Sequence, residues 1–316
     1  MLLGLKSDQL VLTQAHQAWA DEFSRERQNI LQGLYPSCIV VEHVGSTALC
    51  GVPAKPILDI VIGVTSFEEG NELVAPMESL GYTYRGEYGI PRRHYFVKGE
   101  PRTHHVHMLE LGGEGWRSTL GFRDALLAQP ELAREYAEEK LRLAAEYRDH
   151  RTAYQEEKDK IVERLFKRIP ARTVPVEKVL AYITRGNSLL VFTEPDFPEA
   201  GIQVPGGTLE PGETAQAGVL REAAEKTGLR ALTIERFLGT RLYHSPSGSI
   251  SRRHYFHLMC EGDAPEEWIH WEQTPHGGEP PIRLQLQWVN LDRVPELAGG
   301  RGALLAELKS EIADSY

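Results

Sequence analysis

One stretch in the second half of the chain, GTLEPGETAQAGVLREAAEKTGL at 207–229, constrains the fold more than any other. It opens on a Gly-Gly pair, passes through a turn at Pro211-Gly212 and then has the composition of one short helix. Thr214 offers the side-chain oxygen that suits a helix N-cap, and Gly228 suits the left-handed residue that ends many helices. The stretch therefore predicts a glycine-rich turn that leads directly into a capped helix.

Three charged residues of this helix, Glu222, Glu225 and Lys226, have i, i+3, i+4 spacing and share one face. Two neighbouring carboxylates repel each other unless a positive charge lies between them. Carboxylate oxygens are hard ligands that suit Mg²⁺, which commonly joins a few carboxylates to the phosphates of a substrate. The alternative is an exposed helix on which Glu222 and Lys226 form an i, i+4 ion pair.

The spacing of the stretch resembles the Nudix box, G-x5-E-x7-R-E-U-x-E-E-x-G-U, where U is a bulky apolar residue. The residues at the matching positions are Gly207, Glu213, Arg221, Glu222, Ala223 (small, at the first U), Glu225, Gly228 and Leu229. The resemblance covers about residues 174–316 and implies an α/β/α sandwich. It also implies metal-assisted hydrolysis, with Mg²⁺ or Mn²⁺, of a nucleoside diphosphate linked to another moiety.

The resemblance further implies roles for individual residues. Glu222 is expected to be a metal ligand and a possible base, Glu225 a second ligand, and the Gly206 carbonyl a further ligand. Arg221 is expected to hold the neighbouring carboxylates by hydrogen bonds, with Glu213 as one partner. The residues expected beside the pyrophosphate of the substrate are Gly206, Gly207, Glu213 and Lys226.

Lys226 departs from the box, which has a second adjacent Glu at this position that usually supplies a metal ligand. Three hypotheses remain open. The enzyme works with fewer metal ions, assisted by a carboxylate elsewhere, with Glu272 and Glu279 as candidates. Alternatively, the Lys226 ammonium takes over part of the metal's role as a point charge on the diphosphate. In the third hypothesis the module is catalytically silent and binds a nucleotide to regulate or support the rest of the chain.

The length of 316 residues favours two domains, which we place at residues 1–169 and 176–316 with a Pro-flanked linker at 170–175. The net charge of −10 disfavours an extended nucleic-acid partner but allows a small phosphorylated or nucleotide ligand. No apolar run is long enough to span a bilayer and no secretory signal is evident, so we expect no membrane partner. Three scattered cysteines favour a reducing, cytoplasmic compartment. The sequence does not indicate an oligomeric state.

In the first half, the run 57–64 is apolar apart from Asp59, which predicts a strand inside a sheet. A carboxylate there needs either a hydrogen bond to a neighbouring loop or a metal or phosphate site at the strand end. On a later predicted strand, 103–111, His105 and His107 lie on one face. We favour structural or hydrogen-bonding roles for them over a transition-metal site.

Four motifs in the right order, HVGSTALCGVPAKPILDIVIGV, RRHYFVKG, THHVHMLE and FRDALLAQPELAREY, resemble the GrpB family over about residues 8–169. The resemblance implies a nucleotidyltransferase-like mixed sheet with helices, in which the Gly45-Ser46 loop could hold a phosphate near Asp59. Two-metal nucleotidyl transfer needs two carboxylates at alternate strand positions. The partner position holds Val61, and Glu110 is the remaining candidate ligand. We therefore favour phosphate-ligand binding, with nucleotidyl transfer as the alternative; the whole chain is then of the α/β (α+β) class.

Substrate choice is expected to lie outside the box, in loops at 243–251 and 261–281. In the second of these loops Trp268, His270 and Trp271 could stack on a base, with packing as the alternative. The pentapeptide RRHYF occurs twice, at 92–96 and 252–256, which we interpret as a coincidence of strand-entry composition. Its arginines could pair with phosphate, although exposed arginines at strand ends are commoner.

Overall fold

The computed structural model describes residues 3–6, 9–14, 18–35, 37, 39–148, 150–169, 175–246, 248–273 and 280–314. The chain divides into two compact units, Met1–Pro175 and Val176–Tyr316. Each unit consists of a mixed β-sheet with helices, which is the predicted α/β (α+β) class. Among the described residues, no helix is both long and apolar enough to cross a membrane.

In the part of the first unit that the structure describes, five strands form the sheet: β1 (Val40–Val44), β2 (Leu58–Val64), β3 (Thr83–Tyr84), β4 (His94–Lys98) and β5 (His104–Glu110). Their order is β1-β2-β5-β4-β3, with β2 parallel to β5 and the other neighbours antiparallel. Strand β2 is therefore interior, and every residue in it except Asp59 is buried. This is the buried strand that the apolar run predicted.

The two faces of this sheet pack against different helices. Leu58, Ile60 and Ile62 of β2 form one core with residues of α1 (Ala18–Gly33) and α3 (Val74–Ser79). Because side chains alternate along a strand, Asp59, Val61 and Gly63 lie on the opposite face. There a Cβ on Gly63 would lie 2.7 Å from the ring of Trp116, so α4 (Glu114–Ala128) packs directly on the face that carries Asp59.

The helical region predicted at 122–169 is divided more finely than the sequence indicated. It comprises the end of α4, then α5 (Pro130–Glu146) and α6 (Arg151–Phe166), so the predicted break near residues 149–151 is present. A further break lies before Pro130, which occupies the start of α5, where its missing N–H removes no helical hydrogen bond. The helix predicted at 67–80 is likewise two short helices, α2 (Phe67–Glu72) and α3.

Within the described residues, the sheet of the second unit has seven strands: β6 (Val176–Arg185), β7 (Ser188–Thr193), β8 (Gly206–Thr208), β9 (Leu232–His244), β10 (Ile250–Cys260), β11 (Glu267–Glu272) and β12 (Ile282–Asn290). The order is β11-β12-β7-β6-β10-β9, and β8 pairs with β6. Strand β6 is central: it runs parallel to β10 and antiparallel to β7 and β8.

Helices cover both faces of this second sheet. Helix α7 (Ala215–Thr227) packs against β6, β8 and β11. On the other face, Leu304 and Leu308, the latter in α8 (Leu305–Asp314), share a buried cluster with Leu180 and Tyr182 of β6. The second unit is therefore the predicted α/β/α sandwich.

Two strands of this unit differ from the sequence interpretation. Strand β9 is continuous where two strands were expected, because pairing with β10 runs through Gly239 with an irregularity beside it. Strand β11 lies inside the range predicted as a loop, 261–281, and is held by antiparallel pairing with β12. The second RRHYF also lies inside a strand, β10, so strand entry does not explain it.

Candidate functional site

Helix α7 is fixed by both of its ends and by one buried side. The Thr214 hydroxyl accepts a hydrogen bond from the Ala217 N–H at 3.3 Å, and Gly228 ends the helix with a φ of 75°. Val219 and Ala223 are fully buried. Glu222 is three residues from Val219, so it lies at the edge of the buried side and is only 7% exposed.

Arg221 joins three carboxylates on this helix and the loop before it. Its guanidinium donates to both oxygens of Glu213 at 2.8 Å, so the predicted hydrogen bond is present and is bidentate. It also donates to Glu222 at 3.1 Å, to Glu225 at 3.0 Å and to the Thr208 carbonyl at 3.1 Å. One side chain therefore fixes the position of the box carboxylates relative to β8.

The carboxylate of Glu222 lies against the backbone of β8. A Cβ on Gly207 would be 2.1 Å from both carboxylate oxygens, so any larger residue here would displace the Glu222 carboxylate. Burial raises the pKa of the Glu222 carboxyl, whereas the charges of Arg221 and Lys226 act in the opposite direction. The group is thus a partly dehydrated acid that a further cation would stabilise in its ionised form.

The Gly206 carbonyl points away from β6. Hydrogen bonds run from Ala181 N–H to the Pro205 carbonyl and from Leu209 N–H to the Glu177 carbonyl. Hydrogen-bonded and non-hydrogen-bonded residue pairs alternate in an antiparallel ladder. The pair next to Ala181 and Pro205, which is Leu180 with Gly206, is therefore non-hydrogen-bonded. The carbonyl that the Nudix resemblance designates as a ligand is therefore not used by the ladder to β6.

Lys226 pairs with Glu272 across to β11 and not with Glu222. Its ammonium donates to the Glu272 carboxylate at 2.7 Å, and the two side chains are only 16% and 10% exposed. Glu272 is one of the two carboxylates predicted to assist the box, and here it lies next to the lysine that departs from the box. Glu279, the other candidate, lies outside the described residues.

A cluster of cations, in which Lys178 acts electrostatically on Glu222, was not predicted as a group. Lys178 and Arg253 are register partners on β6 and β10. Burial lowers the pKa of Lys178, and the positive charges of Arg301 and Arg253 lower it further, whereas Glu222 raises it. Burial and then Arg253 also lower the pKa of Arg301. These residues are far apart in sequence, and only the second RRHYF drew attention to one of them.

The carboxylates fit a single divalent ion better than a metal cluster. Among the described residues, no group of three or more His, Cys, Asp or Glu side chains is arranged to hold a metal. Glu222 and Glu225 nevertheless share one helical face, the Glu222 carboxylate lies against Gly207, and Mg²⁺ is commonly bound by one or two carboxylates plus substrate phosphates. Residues Gly206, Glu222 and Glu225 would hold such an ion, and Lys226 already neutralises Glu272.

The aromatic candidates for base stacking differ in their surroundings. The Trp268 indole donates to the Thr227 carbonyl at 2.9 Å, and the His270 ring bonds to the Glu225 carbonyl at 2.9 Å. These two residues join β11 to the end of α7, which is a packing role. Trp271 is 48% exposed and remains available to a ligand.

In the first unit, Gly45, Ser46 and Asp59 lie close together at one end of β2. A Cβ on Gly45, which has a φ of 67°, would be 2.4 Å from an Asp59 carboxylate oxygen, so only glycine fits. The Asp59 carboxylate is 3.1 Å from the Nδ1 atom of His105. Ser46 lies 3.4 Å from the Tyr136 hydroxyl of α5.

The second carboxylate needed for two-metal chemistry is not supplied by the predicted candidate. Val61 is fully buried. Glu110 pairs with Arg92 at 2.8 Å at the far end of β5, whereas Asp59 is in register with His105. Five residues of strand separate the two positions, about 16 Å. Glu110 is therefore not a ligand beside Asp59.

Comparison with known proteins agrees with this division of the chain. The profile described as GrpB protein matches residues 9–168, and the profile described as NUDIX domain matches residues 175–308. UPF0157 protein YqkA of Bacillus subtilis is 40% identical over 149 residues, which cover 47% of this chain and 43% of that protein. The chain thus matches less than half the length of YqkA. UPF0157 protein PA4798 of Pseudomonas aeruginosa is 41% identical over 171 residues, covering 52% of this chain and 70% of that protein.

Among solved structures, conserved protein GrpB from Enterococcus faecalis is similar to the first unit. It is 34% identical, with a TM-score of 0.46, and the match covers 50% of this chain and 98% of that one. The sequence matches span half of this chain and the greater part of PA4798. The chain is therefore a member of the GrpB family in which the GrpB domain is followed by a NUDIX domain.

Proposed function

We propose that the NUDIX domain hydrolyses the pyrophosphate link of a nucleoside diphosphate joined to another moiety. The domain itself supports a pyrophosphohydrolase-type function, that is, hydrolysis of a phosphoric anhydride. The finer proposal rests on acidic and basic side chains that affect one another electrostatically. Glu222, one of the carboxylates that Arg221 fixes, acts electrostatically on Lys178, and Lys178 is in turn affected by Arg253 and Arg301. A carboxylate for a cation beside basic groups for phosphate is the charge distribution that a diphosphate requires.

Different side chains would bind the phosphates and accept the proton. Lys178, Arg253 and Arg301 would hold the phosphates, because their mutual repulsion falls when an anion lies between them. Glu222 would accept the proton of the attacking water, since burial brings its pKa closer to neutrality than that of an exposed carboxylate.

Lys226 and Arg221 would act through charge and position. The Lys226 ammonium, 2.7 Å from Glu272, supplies a fixed positive charge at the place where the box has a carboxylate. Arg221 keeps Glu222 and Glu225 in one orientation before the substrate arrives. A bound Mg²⁺ would supply the remaining neutralisation of charge on the diphosphate.

Turnover of a substrate panel tests the proposal. We expect metal-dependent release of phosphate or nucleotide from at least one of the nucleoside di- and triphosphates, sugar nucleotides and dinucleotide coenzymes. Glu222→Gln should lower kcat at least about 10²-fold, the usual contribution of a positioned general base. Glu235→Gln, at an exposed position on β9, is the matched control and should retain full turnover. Equal turnover by the Glu222→Gln variant would show that α7 is not the catalytic site.

The Lys226–Glu272 pair favours a second candidate function, a nucleotide-binding module without turnover. In that case the ammonium replaces the metal ion permanently and the domain only holds the diphosphate. Lys226→Glu distinguishes the two functions on the same panel. A silent wild type together with an active variant would support the binding module, whereas an active wild type supports the hydrolase.

A further inference from the structure

The face of the first sheet that carries Asp59 is surrounded by lysines from three different elements. Lys140 of α5 is 3% exposed; its ammonium donates to the Pro53 carbonyl and lies 5.2 Å from the ring centroid of Tyr136. Lys55, in the loop before β2, places its ammonium 4.8 Å from the ring centroid of Tyr154. Lys158 of α6 is 24% exposed and lies 3.5 Å from Asp159.

These lysines affect one another electrostatically. Burial, followed by the charge of Lys158, lowers the pKa of Lys140 to about 7. Burial, followed by the charges of Arg151 and Lys158, lowers the pKa of Lys55 to about 8. Like charges gathered in a partly dehydrated region cost free energy unless an anion compensates them.

The carboxylates that act on these lysines do not balance them. Asp59 and Asp159 act on Lys55, and Asp59 acts on Lys140. Burial opposes the charge of Lys158, but Tyr136, Asp159 and Asp59 together raise the pKa of that ammonium. Asp59 is also engaged by His105, while burial opposes its ionisation and His105, His107 and Lys158 hold its pKa below the usual range. Three lysines therefore share two carboxylates, Asp59 and Asp159, which leaves an excess of positive charge.

We propose that Lys55, Lys140 and Lys158 bind the phosphate group of a small phosphorylated ligand, and that Asp59 accepts a hydrogen bond from a hydroxyl group of the same ligand. A phosphate carries up to two negative charges and three strong acceptor oxygens, so it can compensate several ammonium groups better than a singly charged carboxylate can. The Ser46 hydroxyl, beside Tyr136 at the same end of β2, offers a further hydrogen bond.

The site is defined within the first unit and does not depend on catalysis by the NUDIX domain. The experiment uses the full chain, pyrophosphate as the probe, and EDTA to remove divalent ions. Hydrogen exchange followed by mass spectrometry should show protection by pyrophosphate in peptides that cover 46–56 and 136–158. Protection confined to 206–229 would place the anion in the NUDIX domain alone and overturn the proposal.

Affinity measured by calorimetry provides the second readout. Lys140→Met and Lys158→Met should each weaken pyrophosphate binding to the first unit by about tenfold or more, since each removes one charged contact worth at least about 1.4 kcal/mol. Lys160→Met is the matched control, because Lys160 lies on the same helix, is 69% exposed and pairs with Glu157. An equal loss in the control would attribute the effect to general charge and refute the site.

Stability of the free protein separates a binding role from a structural one. Removing a buried, repelled charge should leave the melting temperature of the ligand-free Lys140→Met variant equal to or above that of the wild type. A variant that melts earlier and binds as tightly as the wild type would make Lys140 a structural residue. Lys158→Met keeps the proposal testable should Lys140→Met fail to fold.

Discussion

Lys226→Glu is the substitution that most directly tests whether Lys226 occupies a cation position. In the wild type its ammonium lies 2.7 Å from the Glu272 carboxylate, with both side chains at least four-fifths buried. The variant removes this attraction and places a second carboxylate beside Glu272. Two unit charges about 4 Å apart interact by roughly 4 kcal/mol at an effective dielectric constant of 20.

The net cost should be smaller than the sum of the two Coulomb terms, because one carboxylate can take up a proton or turn towards water. Breaking a buried ion pair by removing one partner usually costs about 3–5 kcal/mol, and we expect a loss in this range in EDTA. At about 3 °C for each kcal/mol in a domain of this size, the melting temperature of the NUDIX domain should fall by about 10 °C.

Magnesium should reverse most of that loss. An ion present at about a hundred times its Kd stabilises the folded state by about 2.7 kcal/mol. Scanning calorimetry with and without Mg²⁺ measures the recovery, and hydrogen exchange of peptides from α7 and β11 assigns it to this site. The recovery should greatly exceed the response of the wild type.

Lys309→Glu, at an exposed position on α8, is the control for adding negative charge. It should change stability little in either buffer. If Lys226→Glu is as stable as the wild type in EDTA and gains nothing from Mg²⁺, the inference that the lysine replaces a cation is wrong.

Other side chains give equally definite expectations. Buried Glu177 accepts hydrogen bonds from Arg252 and His254. Burial opposes the ionisation of Glu177, but these two partners hold its pKa below 4.5. The stabilisation that they provide is therefore complete above pH 4.5 and is lost as the pH falls through the pKa of the folded state. Urea unfolding should therefore show Glu177→Gln to be less stable by about 3–5 kcal/mol at pH 7 and less sensitive to acid. The pKa of Lys140 is about 7 when folded and about 10.5 when unfolded, so the unfolded state binds the extra proton between these values. The unfolding free energy of the wild type should therefore rise between pH 7 and pH 10, and the Lys140→Met variant should lack this rise. Gly207→Ala should displace the Glu222 carboxylate and lower turnover about 10²-fold while the chain still folds, as circular dichroism would verify.

The box itself could be interpreted from the sequence because its information is local. Caps at Thr214 and Gly228 and the hydrogen bonds of Arg221 to Glu213 and Glu225 connect residues within a few helical turns. Periodicity and capping chemistry describe contacts at this range well. The same reasoning succeeded for the buried strand around Asp59.

Periodicity and capping chemistry do not predict contacts between segments that are distant in sequence. Glu110 could be proposed as a ligand because it lies on a later predicted strand, but Asp59 pairs with His105, five residues before Glu110 along β5. Strand β11 was predicted as loop because a short edge strand is stabilised by its partner, β12, more than by its own composition.

The two copies of RRHYF show that one local sequence can occupy two different tertiary environments. Arg92 is more than half exposed and pairs with Glu110, whereas Arg252 is 2% exposed and pairs with Glu177. Identical local sequence cannot distinguish these surroundings, because burial depends on which strands flank the segment. One copy leads into strand β4 of the first sheet and the other lies within β10, an interior strand of the second sheet.

The sequence by itself determined the family of each half, the helix that carries Glu222 and Glu225, and the departure at Lys226. Only the tertiary structure decided what that departure means, because it brought Glu272 from β11 to the lysine and placed Lys178 of β6 within electrostatic reach of Glu222. The same holds in the first unit, where α5 and α6 bring Lys140 and Lys158 to Asp59. Charges act through space over several ångströms, so their balance becomes defined only when distant segments are packed together.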